Sequence, residues 1–220
     1  MKDSDYLKDL LIGIDNIIFD LGGVVVNIDY MKTQKAFEAL ALSSFGKVYS
    51  QAEQTGVFDQ YEKGLIHTAT FRDKLRQLVP SLTLSDKGID DAWNAMILDT
   101  PSHRLAALAG IKSSFRTFLL SNTNELHINY YHNQLATLYG KANLNDYFEK
   151  VYYSYQIHLR KPDVEIFEYV IRENKLDAKR TLFIDDTIRH IQSAKSIGFQ
   201  TLHIDSSLTL DRLYFALSEY

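Results

Sequence analysis

The chain has 220 residues, 45% hydrophobic and 24% charged, proportions that exclude a disordered or fibrous chain and suit a globular one. A net charge of −4 leaves no basic excess to hold a phosphate backbone, so nucleic acid is not an expected partner. There is no cysteine, which excludes disulfides, thiolate zinc sites and a cysteine nucleophile.

The N-terminal stretch turns apolar only at about Leu10, and Asp15 and Asp20 interrupt it. Neither a signal peptide nor a membrane span is expected, and the default is a soluble cytoplasmic protein. The first apolar run, Asn16–Val26, reads as a buried strand. From Tyr30 to Leu98 the pattern is helical, with helices expected at Met31–Leu42, Lys47–Thr55, Thr68–Leu78 and Ser85–Asn94. Four later runs read as strands: Phe115–Ser121, the aromatic Lys150–Ser154, Thr181–Asp185 and Gln200–Ile204. Helical patterns lie between them. Asn124–Tyr139 carries Leu126, Tyr130, Asn133 and Leu135, and Asp163–Asn174 carries Ile166, Phe167, Val170 and Ile171. Pro162 suits the first turn of the latter, and Gly198 suits the end of a helix over Ile188–Ile197. Alternating strands and helices predict an α/β layered sheet. The expected core is residues 1–29 and 99–220, with a small helical domain at 30–98 inserted after the first strand. An insert there overhangs the sheet edge where open α/β folds bind ligands.

Four segments carry chemistry. Asp20 stands in an apolar run, where a carboxylate is costly unless paired or metal-bound, and Gly22 and Gly23 let a ligand approach the backbone. Read alone, Asp20 also suits a loop cap. Ser121-Asn122-Thr123-Asn124 places a hydroxyl and exposed N–H groups where a helix begins, which serves either anion binding or plain capping. Lys161, in Arg160-Lys161-Pro162-Asp163, could meet a phosphate or simply be solvated. Asp185 and Asp186 close an apolar strand as adjacent carboxylates, which repel unless a cation lies between them; hard oxygen ligands suit magnesium. Together the four supply a nucleophile, an anion site, a lysine and an acid pair, the parts needed for phosphoryl transfer through an aspartyl-phosphate.

In order, Ile18-Phe19-Asp20-Leu21-Gly22-Gly23-Val24, Leu120-Ser121-Asn122-Thr123, Arg160-Lys161-Pro162-Asp163 and Ile184-Asp185-Asp186 resemble the four motifs of the haloacid dehalogenase superfamily, over about Ile17 to Ile204. The chain looks like the phosphatase branch with a helical cap, and is similar to bacterial glucose-1-phosphate phosphatases. The resemblance implies a Rossmann-like parallel sheet flanked by helices, with the cap after the first strand. It implies Asp20 as nucleophile, and Mg2+ held by Asp20, the Gly22 carbonyl and Asp186. Asp185 would support the metal or pair with Lys161. Ser121 and Asn122 would hold phosphate oxygens, and Lys161 would offset negative charge. The implied partner is a small phosphorylated metabolite, sugar-like, with no membrane partner and an open oligomeric state.

Gly22 departs from the family, where most phosphatases carry an aspartate that protonates the leaving group. Such acid–base help is worth ~10²–10⁴ in rate. His67, Glu62 and Asp29 are the weak candidates to replace it. His158 stands near a glycine of the similar branch, and His190 where aspartate or asparagine is frequent. His127 and His132 lack zinc spacing, and the Tyr130-Tyr131 and Tyr152-Tyr153 pairs read as packing. Two rival functions stay open: a phosphometabolite sensor with negligible turnover, and a phosphonate-cleaving enzyme using a cap lysine among Lys32, Lys35, Lys47, Lys63, Lys74 and Lys87. Dehalogenation in this superfamily uses no metal, and the Asp185–Asp186 pair argues against it.

Overall fold

The structure, a computed structural model, describes residues 2–40, 56–77, 84–205, 212 and 215. Its centre is a sheet of five parallel strands: β1 (Asn16–Phe19), β2 (Arg116–Ser121), β3 (Lys150–Tyr153), β4 (Thr181–Asp185) and β5 (Gln200–His203), in the order β3-β2-β1-β4-β5. The inner strands read as continuous apolar runs because both faces are covered. Alternation then splits their side chains. Ile17, Phe19, Leu119 and Ile184 enter one core with α1 (Lys2–Leu11), which supplies Leu7 and Leu11. Ile18, Phe118, Leu120 and Phe183 enter the core on the opposite face. Each such buried side chain stabilises the fold by about 1.5–3 kcal/mol.

The chain between β1 and β2 holds five described helices, the first four being α2 (Tyr30–Ala39), α3 (Val57–Glu62), α4 (Thr68–Gln77) and α5 (Asp86–Asn94). They surround a third core of Phe37, Phe58, Tyr61, Phe71 and Trp93, with no strand among the described residues. Phe58 stacks on Trp93 at 5.4 Å and Tyr61 on Phe71 at 4.2 Å. The next helix, α6 (Ser102–Lys112), returns to the sheet through Leu105, Leu108 and Ile111. The remaining helices are α7 (Glu125–Tyr139), α8 (Ser154–Ile157), α9 (Val164–Asn174) and α10 (Ile188–Ser196). None of the described helices is long and apolar enough to cross a membrane.

Several expected boundaries move. The first strand ends at Phe19, not Val26. Gly23 has φ +75°, Val25 and Val26 N–H bond back to the Leu21 carbonyl at 2.8 and 2.9 Å, and the three valines are a buried loop under the sheet end. The α7 stripe is Ile128, Tyr131 and Leu135; Tyr130 and Asn133 face outward. Asp163 caps α9, so Pro162 lies outside its first turn. Gly198 closes α10 at φ +97°. The helix expected at Lys47–Thr55 lies outside the described residues. α1, α3, α6 and α8 were not anticipated; α3 and α8 have six and four residues, too few for a periodic signal.

Candidate active site

Parallel strands present their C-terminal ends together, and every chemical segment lies there. Asp20 follows β1 and extends its ladder, donating its N–H to the Ile184 carbonyl at 2.9 Å. Asp185 ends β4, and Asp186 follows it. Lys161 is fully buried, its Nζ 2.8 Å from Asp20 Oδ1 and 2.7 Å from Asp185 Oδ2. Asp185 also receives the Thr187 N–H at 2.8 Å and lies 3.0 Å from His190 Nδ1 through each oxygen. One oxygen each from Asp20, Asp185 and Asp186 fall within 4.8 Å of one another.

The electrostatics follow. Burial opposes the Lys161 charge, but Asp185 and Asp20 outweigh it and hold the ammonium above its usual range. Burial also opposes the Asp185 charge, yet Lys161 and His190 overcome it and hold that carboxyl below its usual range. Asp20 goes the other way: burial first, then Asp185 and Asp186, push it up to about 8 against the pull of Lys161. Asp186 is raised by burial and by Asp185. Burial lowers His190, so a neutral imidazole with its proton on Nδ1 donates to Asp185. One ammonium thus faces three carboxylates. That deficit of positive charge, made of hard oxygen donors, fits a divalent cation such as magnesium. The approach of Asp186 to Gly23 shapes the cradle: a β-carbon on Gly23 would collide with the Asp186 carboxylate, and the positive φ disfavours one besides. Gly23→Ala should weaken magnesium binding at least tenfold in calorimetry while leaving the far-UV spectrum unchanged; unchanged affinity would contradict the cradle.

At the anion end Ser121 is buried and lines a cavity. The Asn122 side chain clamps the lysine loop, its Nδ2 donating to the Lys161 carbonyl at 2.8 Å and its Oδ1 accepting the Lys161 N–H at 2.9 Å. Asn124 caps α7, accepting the His127 N–H at 3.1 Å.

The sequence profile of haloacid dehalogenase-like hydrolases matches residues 14–198, which contain all four segments. The chain belongs to the haloacid dehalogenase-like hydrolase family. Among curated relatives, it is 35% identical over 189 residues to a D-ribitol-5-phosphate phosphatase of Bacteroides thetaiotaomicron, covering 86% of this chain and 90% of that one. Among solved structures, it is similar to a family enzyme from Bacteroides thetaiotaomicron, an aspartate-to-alanine mutant in complex with magnesium and inorganic phosphate. That similarity has TM-score 0.86 and 33% identity over 91% of this chain and 98% of the other. A HAD-like family hydrolase from Porphyromonas gingivalis aligns at TM-score 0.83 with 26% identity, over 94% and 98%.

Against the family pattern, Gly22 leaves no acid in its usual place, and Ile28 fills the space: a β-carbon on Gly22 would lie 3.0 Å from Ile28 Cδ1. Of the three candidate replacements, His67 is exposed and Asp29 caps α2 by accepting the Met31 N–H at 2.9 Å. Glu62 is buried and lines the cavity beside Gly22 and Ser121. None of the described lysines lines that cavity; Lys47 lies outside the described residues. His158 adopts φ +58°, the left-handed conformation that glycine takes without strain, and its Nδ1 bonds the Lys63 carbonyl at 2.8 Å.

His190, Ser154, Arg160 and Tyr30 are the site neighbours that sequence reasoning missed. Arg160 lay in plain view beside Lys161, and its Nε pairs with Glu62 Oε2 at 2.7 Å. The Ser154 hydroxyl lies 2.7 Å from the Glu62 carbonyl and accepts the Thr123 N–H at 2.9 Å. Tyr30 lines the cavity, its hydroxyl held well above the usual range by burial and then by Asp186, Asp20, Glu62 and Asp185.

His127 is buried, stacks on Trp93 at 4.8 Å and contacts Asn94 Oδ1 through Nδ1 at 2.9 Å. Burial pushes it down to about 3, so it stays neutral in the folded state. Below about pH 6.5 the unfolded chain binds a proton at this histidine that the folded one refuses. The contribution of His127 to stability should therefore be fully present above pH 6.5 and fall by up to ~1.4 kcal/mol per pH unit towards pH 3. His127→Gln should flatten that slope in urea unfolding between pH 6.5 and 4.5; an unchanged slope would contradict it.

Proposed function

We propose that the chain is a magnesium-dependent phosphatase that hydrolyses a small sugar or polyol phosphate through a phosphoryl group carried on Asp20. The observation that carries this reading is Lys161, buried between Asp20 and Asp185 with Asp186 close by. An ammonium paired with two carboxylates, with a third beside them, suits a site that takes a phosphate and a divalent cation together.

In this reading the Asp20 carboxylate attacks phosphorus and the ester oxygen departs with the rest of the substrate. Water then attacks the acyl phosphate and releases inorganic phosphate, restoring Asp20. Lys161 holds Asp20 in place and offsets the charge of the incoming phosphate. The Ser121 hydroxyl and backbone N–H groups that follow it receive phosphate oxygens. Asp20, Asp186 and the Gly22 carbonyl would hold magnesium, with Asp185 and its His190 contact in support. When bound, the metal would supply Lewis-acid stabilisation of the charge on the phosphoryl oxygens. Residues 30–98 act as a cap over a core of residues 1–29 and 99–220, closing the site from water.

The relative of ribitol phosphate specificity and the magnesium and phosphate in a similar structure support this reading. The test is phosphate release from a panel of sugar, polyol and aryl phosphates, with magnesium and with chelator. Turnover that needs magnesium is expected. Tight ester binding by wild type with no turnover of any ester would instead support a phosphometabolite sensor, which the glycine at 22 leaves open.

A further inference from the structure

The Arg160-Lys161 pair sends two cations in opposite directions. Lys161 reaches the carboxylates, while Arg160 reaches into the helical layer and grips Glu62. Three independent contacts fix Glu62. Its carboxylate meets Arg160, its carbonyl meets Ser154, and the chain two residues on packs so closely that a β-carbon on Gly64 would collide with the Tyr155 carbonyl. The Ser154 hydroxyl also holds the Thr123 N–H, so the contacts that place Glu62 are continuous with the anion loop. A buried carboxylate is costly unless it is paired, and Glu62 is buried and paired with Arg160.

Glu62 lines a cavity of about 70 Å³ together with Gly22, Ser121 and Asn122. At about 10–15 Å³ for each water-sized group, the space takes a chain of a few carbons, not a nucleoside or a disaccharide. Ile28, Met96 and Ile128 form an apolar wall. Arg160 already neutralises Glu62, so the carboxylate offers neutral acceptor capacity rather than a site for an ammonium group. A carboxylate has about four lone-pair positions and accepts from several donors at once. The donors that match are hydroxyls.

We infer that Glu62 is a specificity-determining residue that accepts hydrogen bonds from hydroxyls on the leaving portion of a short polyol phosphate, with Arg160 as its positioning residue. The inference rests on the phosphatase reading above. It makes discrimination between hydroxylated and plain alkyl esters a property of the cap, separate from the chemistry at Asp20.

The test compares three esters: a straight-chain polyol phosphate, the hydroxyl-free alkyl phosphate of the same length, and an aryl phosphate. In wild type the polyol ester is preferred. Glu62→Gln should lower kcat/KM for the polyol phosphate about 10–100-fold and change the other two less than about threefold. Arg160→Lys should erode the same preference less strongly, because a lysine cannot reproduce the guanidinium geometry. Asp59 Oδ1, 3.8 Å from Arg160, keeps an anion near the guanidinium in Glu62→Gln, and circular dichroism reports folding independently. Equal losses on the polyol and alkyl esters with the aryl ester spared would make Glu62 a general acid–base and overturn the inference. Equal losses on all three, or a preference for an aminoalkyl phosphate, would overturn it too. If wild type turns over no ester, the phosphatase reading fails separately. Calorimetric binding of the polyol and alkyl phosphates to wild type and Glu62→Gln then reads the same preference, and no difference between them would overturn the inference.

Discussion

Asp20→Asn should abolish phosphate release, by on the order of 10⁴-fold or more, and at the same time stabilise the chelated protein. The two effects have one cause. Asp20 sits beside carboxylates that fit a divalent cation, and without one its charge is opposed by burial and by Asp185 and Asp186. Its carboxyl is raised to about 8 from the ordinary 3.8. The sign is fixed by linkage: the unfolded chain releases this proton near pH 4 while the folded one retains it. The contribution of Asp20 to stability therefore falls as pH rises from about 4 to about 8 and is lowest above that. An asparagine removes the charge and keeps an acceptor for Lys161. The gain at neutral pH should be on the order of 1–3 kcal/mol, which is about 3–10 °C in melting temperature for a chain of this size. The measurement is thermal unfolding with chelator at pH 5 and pH 8, with a larger gain expected at pH 8. A variant that is inactive and also less stable at pH 8 would mean that Asp20 is a structural partner of Lys161 and nothing more.

Lys161→Met should have the opposite effect on stability and a similar one on activity. The ammonium is fully buried and holds two carboxylates at 2.8 and 2.7 Å. Removing one partner of a buried ion pair leaves the other uncompensated, at about 3–5 kcal/mol. Here two carboxylates are left, so the loss should lie at the upper end of that range, read as a lower urea midpoint. Activity should fall by on the order of 10³-fold, because Asp20 loses both its anchor and the charge that offsets phosphate. Combining Lys161→Met with Asp20→Asn should recover part of the lost stability, since one of the stranded charges is gone. The coupling in that double-mutant cycle measures the pair itself. Simple additivity of the two substitutions would show that they do not interact in solution.

The parts that the sequence made legible share one property: their signal is local. Ser121 and the Asp185-Asp186 pair each follow an apolar run directly, so strand, end of strand and reactive group are read from consecutive residues. Asp20 was equally plain, although its strand stops at Phe19 because Gly23 turns the chain and the apolar residues at 24–26 become a buried loop. What stayed hidden depends on tertiary packing. Glu62, itself a candidate acid by sequence, has partners that sequence does not show: Ser154 and Arg160 are 92 and 98 residues away. His190 reaches Asp185 because the first turn of α10 folds back over the strand end, a geometry that spacing alone does not specify. The Asn122 side chain braces the Lys161 backbone, a contact between residues 39 apart that no local pattern announces. His158 was an unexplained departure until its left-handed backbone showed why glycine is natural at that place.

The central claim is that Asp20 carries the phosphoryl group during turnover. Rapid mixing of the protein with magnesium and a polyol phosphate, followed by acid quench and peptide mass spectrometry, tests it directly. One phosphoryl group should appear on the peptide containing Asp20 before steady state, and none with chelator. Phosphate released at full rate with no phosphoryl group on that peptide at any time, and undiminished by Asp20→Asn, would contradict it.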